Sequence, residues 1–166
     1  CGYQRLAAGR ALCLIDSGTP PPGAFSLDAH AGTGAIELSS GSARIVVNCG
    51  TGGPSHQAWN TALRATAAHS TVTVADASSA TILPAGLARE LLGPRLMGGP
   101  HEVISRRVET AQGWSVETMH DGYGQTYGVR HERQVTLSPQ GLAVTGRDRV
   151  VPMGAAFVPG LTYAVR

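Results

Sequence analysis

Two sets of side chains in this chain have the types and spacing to do chemistry. The first is His30, Asn48 and His69, with Asp28 two residues ahead of His30. Two imidazoles and an oxygen donor suit zinc, which accepts nitrogen and oxygen ligands in a tetrahedral set. On an extended segment Asp28 shares the face of His30. It is then either a fourth ligand or the partner that fixes the His30 tautomer. Asn48 brings no charge, so it is a poorer zinc ligand than an aspartate would be. The second set is His120-Asp121-Gly122-Tyr123, with Tyr127 and His131 nearby. Tyr and His can serve as base and acid in removing a proton beside a carboxylate, which makes His120 and Tyr123 candidates for substrate contact. Each set also has a plainer reading. Asp-Gly ends a strand and its neighbours hydrogen-bond locally, and histidines at strand starts are often ordinary polar residues.

Other chemistries lack their signatures. The chain has no Gly-x-Ser-x-Gly elbow, no phosphate loop, no Gly-x-Gly-x-x-Gly and no Cys-x-x-Cys. Cys1, Cys13 and Cys49 have no metal-ligand spacing, and the expectation is small buried thiols.

The elements that must position these residues are short strands. Gly2 to Asp16 is strand-like and stops at a Pro-rich loop over 17–23. Ala35 to Leu38 and Ala43 to Gly50 flank a turn at Ser40-Gly41, with Ile36 and Leu38 on one face and Glu37 on the other. Pairing Ser39 with Ser42 sets Asn48 opposite Thr33 rather than His30, a mismatch of about 10 Å along the strand. A bulge near Gly32 or Gly34 would close it. Residues 57–68 suit a short helical turn, and Ser70 to Val74 alternates as a third strand. Residues 77–100 are punctuated by Gly and Pro and are expected to be mostly irregular, with one turn of helix over 88–92. From His101 to Val150 four strands follow at regular spacing. The expected class is all-β, an antiparallel β-sandwich of many short strands in one domain over 1–166.

Composition agrees. Glycine (22) and proline (10) are abundant, and 14% of residues are charged, with no run of one sign. All thirteen basic residues are Arg, which suits planar recognition of carboxylates and sulfates. They are scattered, so there is no nucleic-acid footprint. No stretch is apolar enough to span a membrane as a helix, and no signal peptide is present. The chain starts at Cys-Gly-Tyr without Met and stops in strand-like sequence, which suggests a piece of a longer polypeptide.

Taken in order, three stretches resemble the heparinase II/III-like family of polysaccharide lyases: Asp28-Ala29-His30-Ala31 with Ala35-Ile36-Glu37-Leu38, Ile45 to Gly50, and Arg64-Ala65-Thr66-Ala67-Ala68-His69-Ser70-Thr71-Val72-Thr73-Val74. That family's pattern runs His-x-His-x-Asp, Ser-Phe-x-Leu, Asp-Pro-Gly, then Arg-x-x-x-Ala-His-Asn-Thr. His120-Asp121-Gly122-Tyr123 and Arg130-His131-Glu132-Arg133 are similar to it as well. The resemblance implies a helical toroid followed by a β-sandwich, of which this chain is the sandwich. It implies β-elimination on uronic-acid polysaccharides, with an anionic polysaccharide and the missing toroid as partners, and a periplasmic or secreted setting. It implies zinc ligands at His30, Asn48 and His69. A catalytic His of the family falls on Asp28, its ligand Asp falls on Asn48, and the Asp after its paired histidines falls on Gly32.

Overall fold

The computed structural model describes residues 2–52 and 57–154. Two four-stranded antiparallel sheets pack face to face, as the strand pattern leads one to expect. The first holds β1 (Tyr3–Ala8), β2 (Ala11–Asp16), β3 (Ile36–Ser40) and β4 (Ala43–Val46), in that spatial order. Between the sheets in sequence come α1 (Gln57–Leu63), a 3-10 turn at Thr66–Ala68, β5 (Thr81–Ile82), α2 (Leu87–Leu92) and β6 (Leu96–Met97). The second sheet holds β7 (Val103–Thr110), β8 (Gly113–His120), β9 (Val129–Leu137) and β10 (Val144–Pro152), in the order β10-β9-β8-β7. A single turn, α3 (Gly124–Tyr127), joins β8 to β9.

Period-two alternation builds the core. In β2 the residues Ala11, Cys13 and Ile15 are buried and meet Leu6 of β1. Across the interface they pack on Val116, Val135 and Leu137, with Ile36 and Leu38 at the margin and Glu37 exposed on the opposite face. Ala31, Ala80 and Leu96 make a second, smaller core under the loops.

Several segments differ from expectation. Gly2 to Asp16 is a hairpin, turned at Gly9 with φ +53°, which suits glycine. The β3–β4 hairpin pairs Ser40 with Ala43, and its register shifts between Leu38 and Ser39, so the bulge is there and not near Gly32 or Gly34. β4 ends at Val46, short of Gly50, and Cys49 is exposed while Cys13 is buried. Cys1 lies outside the described residues. Helix over 57–68 breaks at Leu63 into the 3-10 turn. The irregular 77–100 segment contains α2 and the β5–β6 pair.

Ser70 to Val74 does not form a strand; its one ladder contact is a bridge from Val74 to Ala77. Side chains take the place of a neighbouring backbone. Asn48 Oδ1 accepts the Ser70 N–H at 2.8 Å, Arg133 Nη1 donates to the Ser70 carbonyl at 2.6 Å, and the Tyr123 hydroxyl donates to the Val72 carbonyl at 2.6 Å. Backbone groups shielded from water must find partners, and in this half-buried segment they find them one side chain at a time.

One of these anchors, Arg133, also ends a polar chain that runs through the second sheet. The Gly122 N–H donates to His120 Nδ1 at 3.2 Å, which places the His120 proton on Nε2. That proton points to His131 Nδ1 at 3.1 Å, and His131 Nε2 in turn donates to Asp148 Oδ1 at 2.8 Å. Arg133 grips Asp148 through Nε and Nη2 at 2.6 and 2.9 Å, and its Nη1 also reaches the Gly34 carbonyl at 2.6 Å. Burial, then His131, then Arg133 push His120 down to about 3. Burial pushes the Asp148 carboxyl up, but hydrogen bonds from His131 and Arg133 outweigh it and hold the group well below the usual carboxylate range.

His120 therefore makes stability depend on pH. Between its unfolded pKa of 6.5 and its folded value of about 3, the unfolded chain binds the extra proton, so stability falls as pH drops. The urea midpoint of the native chain minus that of His120→Gln is expected to decrease from about pH 7 to about pH 4. A difference independent of pH would show that His120 is not held neutral by the fold.

Candidate functional site

A cleft of about 620 Å³ opens where the β2–β3 connection, the segment after β4 and the segment after the 3-10 turn at Thr66–Ala68 meet. Asp28, His30, Asn48 and His69 all line it, so the structure brings the first sequence set together. Tyr3, Asp16 and Glu37 line it too, and sequence reasoning missed them. Asp16 could have been suspected, because it ends an apolar strand just before a proline run.

His30 is set by its backbone neighbours. Arg64 Nε donates to the Ala29 carbonyl at 2.7 Å, the Ala31 N–H donates to the Arg64 carbonyl at 2.9 Å, and Thr66 Oγ1 donates to the Ala31 carbonyl at 2.7 Å. Arg64 is 5% exposed and also reaches the Ser26 and Pro94 carbonyls. Its signal in sequence was an arginine five residues before His69, among otherwise small residues.

His69 follows the 3-10 turn. Its Nδ1–H donates to the Ala65 carbonyl at 2.8 Å, which leaves the Nε2 lone pair facing His30 Nδ1 at 3.0 Å. His30 Nδ1 is thus the donor of that pair, and the rings meet edge to face at 87°. A Cβ at position 32 would lie 3.0 Å from His69 Cδ2, so glycine there leaves room for the ring. Burial lowers the His30 pKa, with His69 and Arg64 adding to the effect.

Asn48 uses both ends of its amide. The oxygen accepts from Ser70 and the nitrogen donates to Glu37 Oε1 at 3.3 Å. Asp28 is exposed at the rim. Burial pushes the Asp16 carboxyl up to about 6, against a lowering hydrogen bond from the Gly18 backbone. Asp16, then burial, then Glu37 raise the Tyr3 hydroxyl.

His120 and Tyr123 are not brought to this cleft. Each is 1% exposed, and each is committed to the internal hydrogen bonds described above. Burial pushes Tyr123 up to about 12. Tyr127, by contrast, is 39% exposed.

A family model described as heparinase II/III-like, C-terminal, matches residues 1–163. FtsZ-localized protein C of Caulobacter vibrioides (strain NA1000 / CB15N) is 31% identical over 152 residues, which cover 92% of this chain and 26% of that protein. The chain therefore spans about a quarter of the length of this curated relative. No solved structure matches.

Zinc is the cofactor such a relationship implies, and the donor set can be tested against it. A closed zinc site takes four ligands. His30 Nδ1 and His69 Nε2 converge, but on each other. The Asn48 oxygen is held by Ser70, and among the described residues no three His, Cys, Asp or Glu gather to hold a metal ion. The set is short of an anionic donor and does not fit a resident zinc centre. Supplying that charge should matter most. Asn48→Asp is expected to tighten zinc binding by at least about tenfold in calorimetric titration, since a carboxylate offsets the dication where an amide cannot. A native chain that holds one zinc as tightly as the variant would contradict this.

Proposed function

Because the chain belongs to the heparinase II/III-like C-terminal family, we propose that it is the sandwich module of a polysaccharide-lyase-like protein. It works on uronic-acid-containing polysaccharide together with a helical toroid of the same polypeptide. The observation that supports this reading is the cleft itself, which gathers Asp28, His30, Asn48 and His69 from three separate loops.

β-Elimination needs three things: a group that neutralises the uronate carboxylate, a base for the adjacent proton, and an acid for the departing oxygen. His69 Nε2, oriented by the Ala65 carbonyl, and His30 Nδ1–H are of the base and acid types required, but each is engaged by the other at 3.0 Å, so a substrate has to part the pair before either acts. Among the described residues no Arg lines the cleft, and Asp28 stands where the resemblance puts a catalytic His. Neutralisation of the carboxylate must therefore come from outside this wall.

The chain alone is accordingly inactive. Incubated with heparan sulfate or alginate, it is expected to give no rise in unsaturated-uronate absorbance. A steady, enzyme-dependent rise would overturn the assignment of the missing groups to the toroid.

A second reading has specific support. The uncharged Asn48, with its oxygen spent on Ser70, and the Asp28 carboxylate at the rim suit a non-catalytic carbohydrate-binding or structural module with a decayed metal site. A full-length protein that binds polysaccharide without cleaving it would favour this reading.

A further inference from the structure

We propose that Arg64 and Arg89 form a subsite for an oxyanion group of the polysaccharide, a uronate carboxylate or a sulfate, at the end of a groove that continues from the cleft. The proposal rests on the carbohydrate-facing reading above and concerns where the charge of the glycan is held.

Two smaller cavities extend the cleft. The first, of about 370 Å³, shares Asp28, His30 and Thr51 with it. The second, of about 420 Å³, shares Asn60, Arg64 and Pro94 with the first, and Thr61, Arg89 and Glu90 line it too. Both volumes are within the range of small-molecule sites. Charge is divided along this path. Asp16, Asp28 and Glu37 line the cleft, where among the described residues no Arg does, while two guanidinium groups face the far cavity. Glu90 is exposed there and forms no ion pair with either Arg among the described residues. An anionic glycan is thus repelled near the histidine pair and attracted at the other end.

Arg64 differs from the other buried arginines in lacking a carboxylate. Arg130 has Glu132 at 2.7 Å and Arg133 has Asp148 at 2.6 Å. Arg64, 5% exposed, has the Ala29, Ser26 and Pro94 carbonyls and no ion pair among the described residues. A cation taken out of water needs a counter-charge as well as hydrogen bonds. Arg89 puts a second positive charge on the same cavity wall. Its Nη1 donates to the Leu83 carbonyl at 3.2 Å and its Nη2 to Thr61 Oγ1 at 3.0 Å. Both forks are therefore fixed before a ligand arrives. These bonds use three of the five N–H donors of Arg64 and two of those of Arg89. Carboxylate and sulfate oxygens match such forks in pairs, and preorganised donors lower the ordering cost of binding. Asn60 stands between the two cavities, and its buried carboxamide oxygen has no hydrogen-bond partner among the described residues. The terminal amide torsion is soft, so a sugar hydroxyl next to the anion can take up that oxygen.

The test compares three oligosaccharides of equal length: oligomannuronate, a heparin fragment, and uncharged oligomannose. Each is titrated into the 166-residue chain while the NMR signals of His69 and of the Arg64 and Arg89 Nε–H groups are followed. At least one anionic sugar is expected to shift both arginine signals and to bind about tenfold more tightly than oligomannose, since one charge-assisted hydrogen bond is worth roughly that factor. The tighter of the two anionic sugars tells a carboxylate site from a sulfate site, and either supports the inference. Arg89→Gln, at a half-buried position, is expected to remove most of the preference while the amide spectrum of both sheets stays unchanged. Arg64 is kept native in this test, because its loss would also strand three carbonyls. Binding that shifts His69 but neither arginine signal, or oligomannose binding as tightly as both anionic sugars, would overturn the inference and leave the proposed function standing. Anionic binding that Arg89→Gln does not weaken would overturn it in the same way. If no oligosaccharide binds, both readings fall together.

Discussion

The Arg133 guanidinium is the joint on which the two sheets and the cleft depend. It sits in β9 beside its cross-strand partner Asp148 in β10, and donates two hydrogen bonds to that carboxylate. Its remaining reach goes to the Gly34 and Ser70 carbonyls, which belong to the loops that carry the candidate site. A guanidinium offers five N–H donors in one plane, so it can serve a carboxylate and two carbonyls together; an ammonium cannot hold that geometry. A buried cation is tolerable only when paired and fully hydrogen-bonded. Asp148 supplies the counter-charge, His131 orients Asp148, and His120 orients His131.

From this joint the order passes outward into the cleft. Ser70 follows His69 directly, and its N–H holds Asn48, which holds Glu37. On the other side Gly34, at φ +85°, lets the chain turn into β3 beneath the His131 ring and Thr71. A Cβ there would come within 3.0 Å of Thr71 Oγ1, so the close approach of these loops needs glycine. The cleft is thus built on a rigid interior although its walls are loops, which is how irregular segments come to present fixed side chains.

Much of the fold was legible because the strands of the second sheet are long and alternate cleanly, and turn residues separate them. The gathering of His30, Asn48 and His69 was legible as an order of motifs, though not as strand register, because the chain leaves the sheet at Ala35 and β4 stops at Val46. Ser70 to Val74 alternates as a strand would, yet its partners are side chains from residues 48, 123 and 133, which no local pattern announces. His120 and Tyr123 have the residue types of a reactive pair. Only tertiary packing decides that they are buried anchors. Asp16 and Glu37 lie on strand ends and faces that become a cleft wall only when distant loops close over them.

Backbone amide exchange in Arg133→Met tests this dependence most directly. The substitution keeps the aliphatic stem and removes every donor. Protection at residues 69–72 and 34–36 is expected to fall at least about tenfold more than in β7 and β8, because local opening would then need less than global unfolding. Equal losses throughout the chain, or unchanged protection at residues 69–72, would contradict the view that Arg133 holds the site segments in place.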